Sequence, residues 1–146
     1  MINNLHSYQD HFVKLKNYFK EKAKTTFGDS LVINCSDAPH GLLPNTLSIA
    51  FNNDNVTGKK LLENQDLLVA SLGAACHSFQ AFNTITKGHI SSVLIDSGVS
   101  EYLAERTIRI SFGRETNLHD IDSLLKFFEE KLCFYNYCSK IKETSD

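Results

Sequence analysis

Two prolines in 146 residues, with no internal repeat and no low-complexity segment, leave little room for a linker-rich chain. No run of about 18 apolar residues occurs, so nothing reads as a bilayer span. The opening MINNLHSYQDHF lacks the charged-then-apolar layout of a secretory signal. Long basic runs are also missing. With 15 Lys and Arg against 17 Asp and Glu, the net charge is −2, which speaks against a dedicated nucleic-acid binder and for a small-molecule or protein partner. The four cysteines, Cys35, Cys76, Cys133 and Cys138, form no Cys-x-x-Cys pair and have no histidine at zinc-finger spacing. His6, His11, His40, His89 and His119 make no metal spacing either. These absences fit a reduced, cytosolic chain with free thiols.

What is present suits one folded domain. Hydrophobic residues make up 42% and charged residues 22%. A chain of this size buries roughly 68–70% of its unfolded surface. Leu5, Tyr8, Phe12, Leu15, Phe19, Ala23 and Phe27 recur at helical spacing with the lysines largely off that stripe, and Gly28 is placed to end the helix. Leu31 to Asn34 reads as a short strand, and the turn-rich APHGLLPN precedes a strand in which Leu47, Ile49 and Phe51 alternate with Ser48 and Ala50. Thr57 can cap a short helix through Leu61, Leu62 and Gln65, and Leu67 to Ser71 reads as a buried strand. A loop is expected from Phe79 to His89. Helical signal returns from Ile90 to Ile95, stops near Gly98 and resumes from Ser100 to Arg106, with Tyr102, Leu103 and Ala104 supplying buried surface.

TIRISFGR alternates once more, Ile108, Ile110 and Phe112 facing one way and Arg109 and Ser111 the other. A long last helix from about Asn117 buries Ile121, Leu124, Leu125, Phe128 and Leu132, with Asp120 and Asp122 near its positive end and a frayed polar tail at 140–146. Strands interleaved irregularly with helices predict an α+β fold, its antiparallel or mixed sheet of about four strands covered by helices on one face.

Two residues stand out chemically. Cys76 lies in VASLGAACHSFQ, among small neighbours that allow approach to a thiol, with Gly73 permitting backbone geometries closed to other residues. Local sequence leaves two readings of it, an inert buried hydrophobe and an approachable thiol. Arg109, mid-strand between two isoleucines, either faces solvent or borders a cleft, where its planar guanidinium suits a carboxylate. His77 needs a bend in the loop to reach the thiol. Arg114 is expected to tie the strand end to a helix or a carboxylate. Cys133 and Cys138, five apart, do not share a helix face and read as core or surface thiols.

LLPNTLSIAF, VASLGAACHS and TIRISFGRETNLHDIDSLLKFF together, in this order and spacing, resemble the C-terminal portion of the pyridoxal phosphate (PLP)-dependent cysteine desulfurase and selenocysteine lyase family. Gly-Ala-Ala-Cys-His-Ser is similar to the selenocysteine lyase branch. The resemblance covers nearly the whole chain and implies the small C-terminal domain of a class V aminotransferase fold over 1–139, followed by the tail. It implies L-selenocysteine cleaved to L-alanine and reduced selenium, or L-cysteine cleaved to alanine and a protein persulfide, in a homodimeric enzyme. Cys76 then matches the cysteine that meets the departing chalcogen, as nucleophile or proton donor, and Arg109 the arginine that holds the amino-acid carboxylate.

PLP chemistry needs a Schiff-base lysine and an acidic partner for the pyridine nitrogen. In this family both belong to the large domain, and no Ser-x-His-Lys-like segment occurs in these residues. The expectation is an incomplete portion, inactive alone and without covalently bound PLP. Leu43 stands where relatives often carry arginine. The alternatives are a cysteine desulfurase portion and a non-catalytic module, either docking on a full-length subunit or another protein or carrying a persulfide on Cys76.

Overall fold

The computed structural model describes residues 3–36, 43–64, 70–72 and 90–143. Helix α1 spans Asn3–Phe27. It stops at Gly28, whose φ of +55° is left-handed backbone that a side chain would resist. A 3-10 turn, Gly28–Ser30, leads into β1, Leu31–Ile33. There follow β2 (Thr46–Phe51), α2 (Gly58–Leu62), β3 (Ala70–Ser71), α3 (Ser92–Asp96), α4 (Glu101–Glu105), β4 (Thr107–Ser111) and α5 (Leu118–Glu143). Both expected caps form: Thr57 Oγ1 accepts the Lys60 N–H and Ser100 Oγ the Leu103 N–H, each at 3.3 Å. The α2 helix ends at Leu62, short of the expected Gln65. Asn64 there takes a left-handed φ of +53°, which asparagine tolerates better than most residues.

The strands form one sheet in the order β1-β2-β4-β3, antiparallel at every pairing, so the fold is α+β as the alternation implied. Register makes one face apolar. Leu47 opposes Ile110 and Ile49 opposes Ile108, and all four are buried. Leu15, Phe19 and Ala23 of α1 and Ile121, Leu125 and Phe128 of α5 join them in a single core. At its centre Phe51 meets Phe27 edge-on at 5.4 Å and Phe128 at 5.3 Å between centroids, so one β2 side chain joins both long helices to the sheet.

Helix α2 lies tight against β4 because its first residue is a glycine. A Cβ at Gly58 would sit 2.7 Å from the Thr107 carbonyl oxygen and 3.0 Å from Leu72 Cδ2. Gly58→Ala should therefore destabilise the fold by roughly 1–3 kcal/mol. The check is a lower urea midpoint at unchanged slope; an unchanged midpoint would mean that α2 can lift off the strand freely.

Three expectations change. Ala70 and Ser71 are half-buried, and among the described strands β3 lies at the edge of the sheet, beside β4; residues 67–69 of that expected strand lie outside the described residues. Tyr102 is exposed at 38%. Its hydroxyl donates to Asp54 Oδ1 at 2.7 Å, and the buried Arg106 guanidinium lies 3.7 Å from the ring centroid, so the ring packs on a cation at the surface. The polar end of the chain continues α5 as far as Glu143 and does not fray at 140, with Lys140 and Lys142 favourable at the helix's negative end. Arg114 ties the strand end to a helix, as expected: it reaches α1 through the face of Tyr8, at 5.9 Å, and makes no ion pair with a described carboxylate.

Candidate substrate-binding face

The opposite face of the sheet is where Arg109 lies. Antiparallel register places it between Ser48 of β2 and Ser71 of β3. Asn34, whose N–H donates to the Ser48 carbonyl at 2.9 Å, extends that row beyond β1. Polar residues thus run from Asn34, just past the end of β1, across β2, β4 and β3, on the side away from α1 and α5. Arg109 is half-buried, and its guanidinium makes no hydrogen bond or ion pair with any described residue. Arg106, by contrast, is consumed by the fold: it donates to the carbonyls of Asn53 and Tyr102 and pairs with Glu105 at 3.0 Å. A guanidinium whose donors no described residue claims, next to the Ser48 hydroxyl, is chemically a receptor for a planar anion.

Asn34 organises this face. It is 6% exposed, and its Nδ2 donates to Ser48 Oγ at 3.1 Å and to Thr107 Oγ1 at 3.0 Å. To reach Thr107 the amide passes over β2 beside Ala50, which is fully buried although alternation assigns it to the polar face. Thr107 Oγ1 donates in turn to the Leu103 carbonyl at 2.8 Å, which ties α4 to that end of the face. Sequence reading missed Asn34 and Ser48. Alternation did put Ser48 opposite in sense to Leu47 and Ile49, but which residue it meets on the next strand is a matter of register.

Of the two singled-out residues, Arg109 is where its strand position implied, on the face opposite Ile108 and Ile110. Cys76 and His77 lie outside the described residues, as do His40, His89 and the expected loop at 79–89. The remaining cysteines are free, Cys35 and Cys133 exposed and Cys138 half-buried, and no group of three metal-ligating side chains occurs among the described residues. His11 is occupied structurally, its Nε2 lying 2.9 Å from the Thr116 carbonyl oxygen.

The described lysines lie on α1, α2 and α5, not on the strands. Lys16, whose pKa is lowered by burial and then by Lys20, donates from α1 to the Leu43 carbonyl at 3.2 Å. That helix covers the other face of the sheet, so Lys16 is not available beside Arg109. None of the described helices is long and apolar enough to cross a membrane.

No family model matches the chain. Individual proteins do. Selenocysteine lyase of Xenopus laevis is 32% identical over 124 residues, 85% of this chain and 28% of that protein. Selenocysteine lyase of Homo sapiens is 28% identical over 127 residues, 86% of this chain and 27% of that protein. Among solved structures, a NifS-like protein superposes with a TM-score of 0.60 at 26% identity, covering 91% of this chain and 30% of that one. The NifS-like protein from Rickettsia africae also gives 0.60, at 24% identity over 88% of this chain. The chain is a C-terminal portion of the selenocysteine lyase and NifS-like family.

It spans under a third of the length of these curated relatives, 28% in the first case. The class V fold expected from the motifs agrees with the NifS-like superpositions, and the antiparallel sheet under two long helices is the part of that fold present here.

Proposed function

We propose that this chain is the substrate-carboxylate and chalcogen-handling portion of a selenocysteine lyase. The observation that carries the reading is Arg109, a guanidinium that no described residue pairs with, in the middle of a polar sheet face, in a chain similar to selenocysteine lyases over 85% of its length. Arg109 binds the α-carboxylate of L-selenocysteine through two parallel N–H donors, which sets the orientation of the amino acid on the face. Cys76 meets the selenium as the Cβ–Se bond breaks, as nucleophile or proton donor, and L-alanine is left. Cys76 follows Ser71, the β3 neighbour of Arg109, by five residues. Five residues of chain span at most about 18 Å. This tether ties the thiol to the strand that flanks the arginine.

In a complete family enzyme PLP supplies the electron sink for the cleavage. The described residues do not fit its Schiff base, because no described lysine shares the face with Arg109. Carbon–selenium cleavage by these residues alone is therefore not expected; binding and chalcogen transfer are. The setting that suits free thiols is a reduced cytosol.

Titration of the isotopically labelled chain with L-alanine, the proposed product, tests the carboxylate site. Saturable shifts at the Arg109 Nε–H, absent with L-alaninamide, are the expected result. Equal responses to the two ligands, or none, would remove the carboxylate reading. A separate prediction concerns the thiol: after incubation with a low-molecular-weight persulfide donor, mass spectrometry should find the added sulfur concentrated on Cys76. Cys35 and Cys133 are exposed and serve as internal controls. Uniform labelling of all three would deny Cys76 a special role.

A further inference from the structure

Hydrogen counting on the polar face assigns a second residue to the anion. Thr107 Oγ1 has given its only hydrogen to the Leu103 carbonyl, so toward Asn34 it can only accept. That fixes the Asn34 amide with its nitrogen, not its oxygen, toward Thr107; the reverse orientation would set lone pair against lone pair. The same nitrogen donates to Ser48 Oγ. Ser48 is thereby an acceptor at its Asn34 side, and its own hydrogen points elsewhere, with no acceptor among the described residues. Ser48 is also the cross-strand partner of Arg109. Directly opposed side chains on one face have Cβ atoms about 4.5–5.5 Å apart.

The arrangement therefore sets a hydroxyl donor beside a guanidinium donor, with no carboxylate of a described residue paired to either. A carboxylate offers about four lone-pair sites. The guanidinium fork takes one per oxygen, which leaves a further lone pair to accept from a neighbouring hydroxyl. We propose that Ser48 is a second donor to the amino-acid carboxylate held by Arg109, and that Asn34 is the positioning residue that turns the Ser48 hydroxyl toward it. The assignment rests on the carboxylate reading of Arg109 and extends it to the geometry that selects an α-carboxylate over a spherical anion, which could satisfy the arginine alone.

The test is the L-alanine titration of the full chain, read at the Arg109 Nε–H, in wild type and in Ser48→Ala, Ser48→Thr, Asn34→Ala and the Asn34→Ala/Ser48→Ala double variant. Ser48→Ala should weaken L-alanine about tenfold, the scale of one hydrogen bond to a charged group. Ser48→Thr keeps the hydroxyl and should bind within about threefold of wild type, allowing for its stiffer side chain. Asn34→Ala should weaken binding when Ser48 is present and have no further effect when Ser48 is alanine, a coupling that general loosening of the sheet would not produce. Wild-type affinity in Ser48→Ala, with binding still lost in Arg109→Ala when followed by backbone amide shifts, would overturn this inference and leave the carboxylate site intact. No carboxylate-dependent response in the wild type would overturn both. Additive losses in the double variant would refute the positioning role of Asn34. Should Asn34→Ala not fold, the alanine and threonine variants at Ser48 decide between a donor and a bystander.

Discussion

Arg109→Ala should abolish the response of the chain to L-alanine, and Arg109→Lys should leave only a weak one. The alanine variant loses two charge-assisted hydrogen bonds, and a hydrogen bond to a charged group is worth about 1.5–3 kcal/mol. A loss of at least two orders of magnitude in affinity follows, at roughly 1.4 kcal/mol for each tenfold. Lysine keeps the charge but not the planar fork, and its compact ammonium is more strongly hydrated; about a tenfold loss is expected for it. The fold should be indifferent to either change, because Arg109 is half-buried and makes no hydrogen bond or ion pair with a described residue. Binding isotherms and thermal midpoints on the same samples separate the two effects. An alanine variant that binds as tightly as wild type would place the anion elsewhere on the molecule.

The largest loss of stability is expected from Phe51→Ala. Phe51 is fully buried and touches Phe27 at the end of α1 and Phe128 of α5. Its removal opens a cavity where both helices meet the sheet, and such truncations cost about 3–5 kcal/mol. Domains are typically stable by only about 5–15 kcal/mol, so the variant should melt roughly 10 °C or more below wild type. Phe134, on the same α5 helix as Phe128 but 59% exposed, provides the contrast. Phe134→Ala should cost less than about 1 kcal/mol. Similar losses at the two positions, measured by urea unfolding, would contradict a core centred on β2.

Periodicity alone made most of the fold legible. The stripe from Leu15 to Phe27, the alternation of Leu47, Ile49 and Phe51, and the stripe from Ile121 to Phe128 all mark the buried side, because a helix and a strand repeat at fixed intervals whatever surrounds them. Stops and caps were equally local: Gly28, Thr57 and Ser100 act through their own backbone or the next turn. Tyr102 misled because an aromatic ring on a short helix can be covered from the core or by a neighbouring cation, and Arg106 settled the matter. The tail past Lys140 misled because polarity was taken for fraying, while α5 carries it as a helix to Glu143.

By itself, then, the sequence determined the two-faced strands, the direction of Arg109 and the family motifs around Cys76. It could not determine what stands beside Arg109. Ser48 is 61 positions away and Asn34 is 75, and nothing in local spacing connects them to it. Antiparallel register brings Ser48 opposite the arginine, and the small side chain of Ala50 lets the Asn34 amide cross β2 to Thr107. Direction along a strand is set residue by residue; neighbours across a sheet exist only once the strands have paired, which is why the arginine could be read from the chain and its receptor only from the fold.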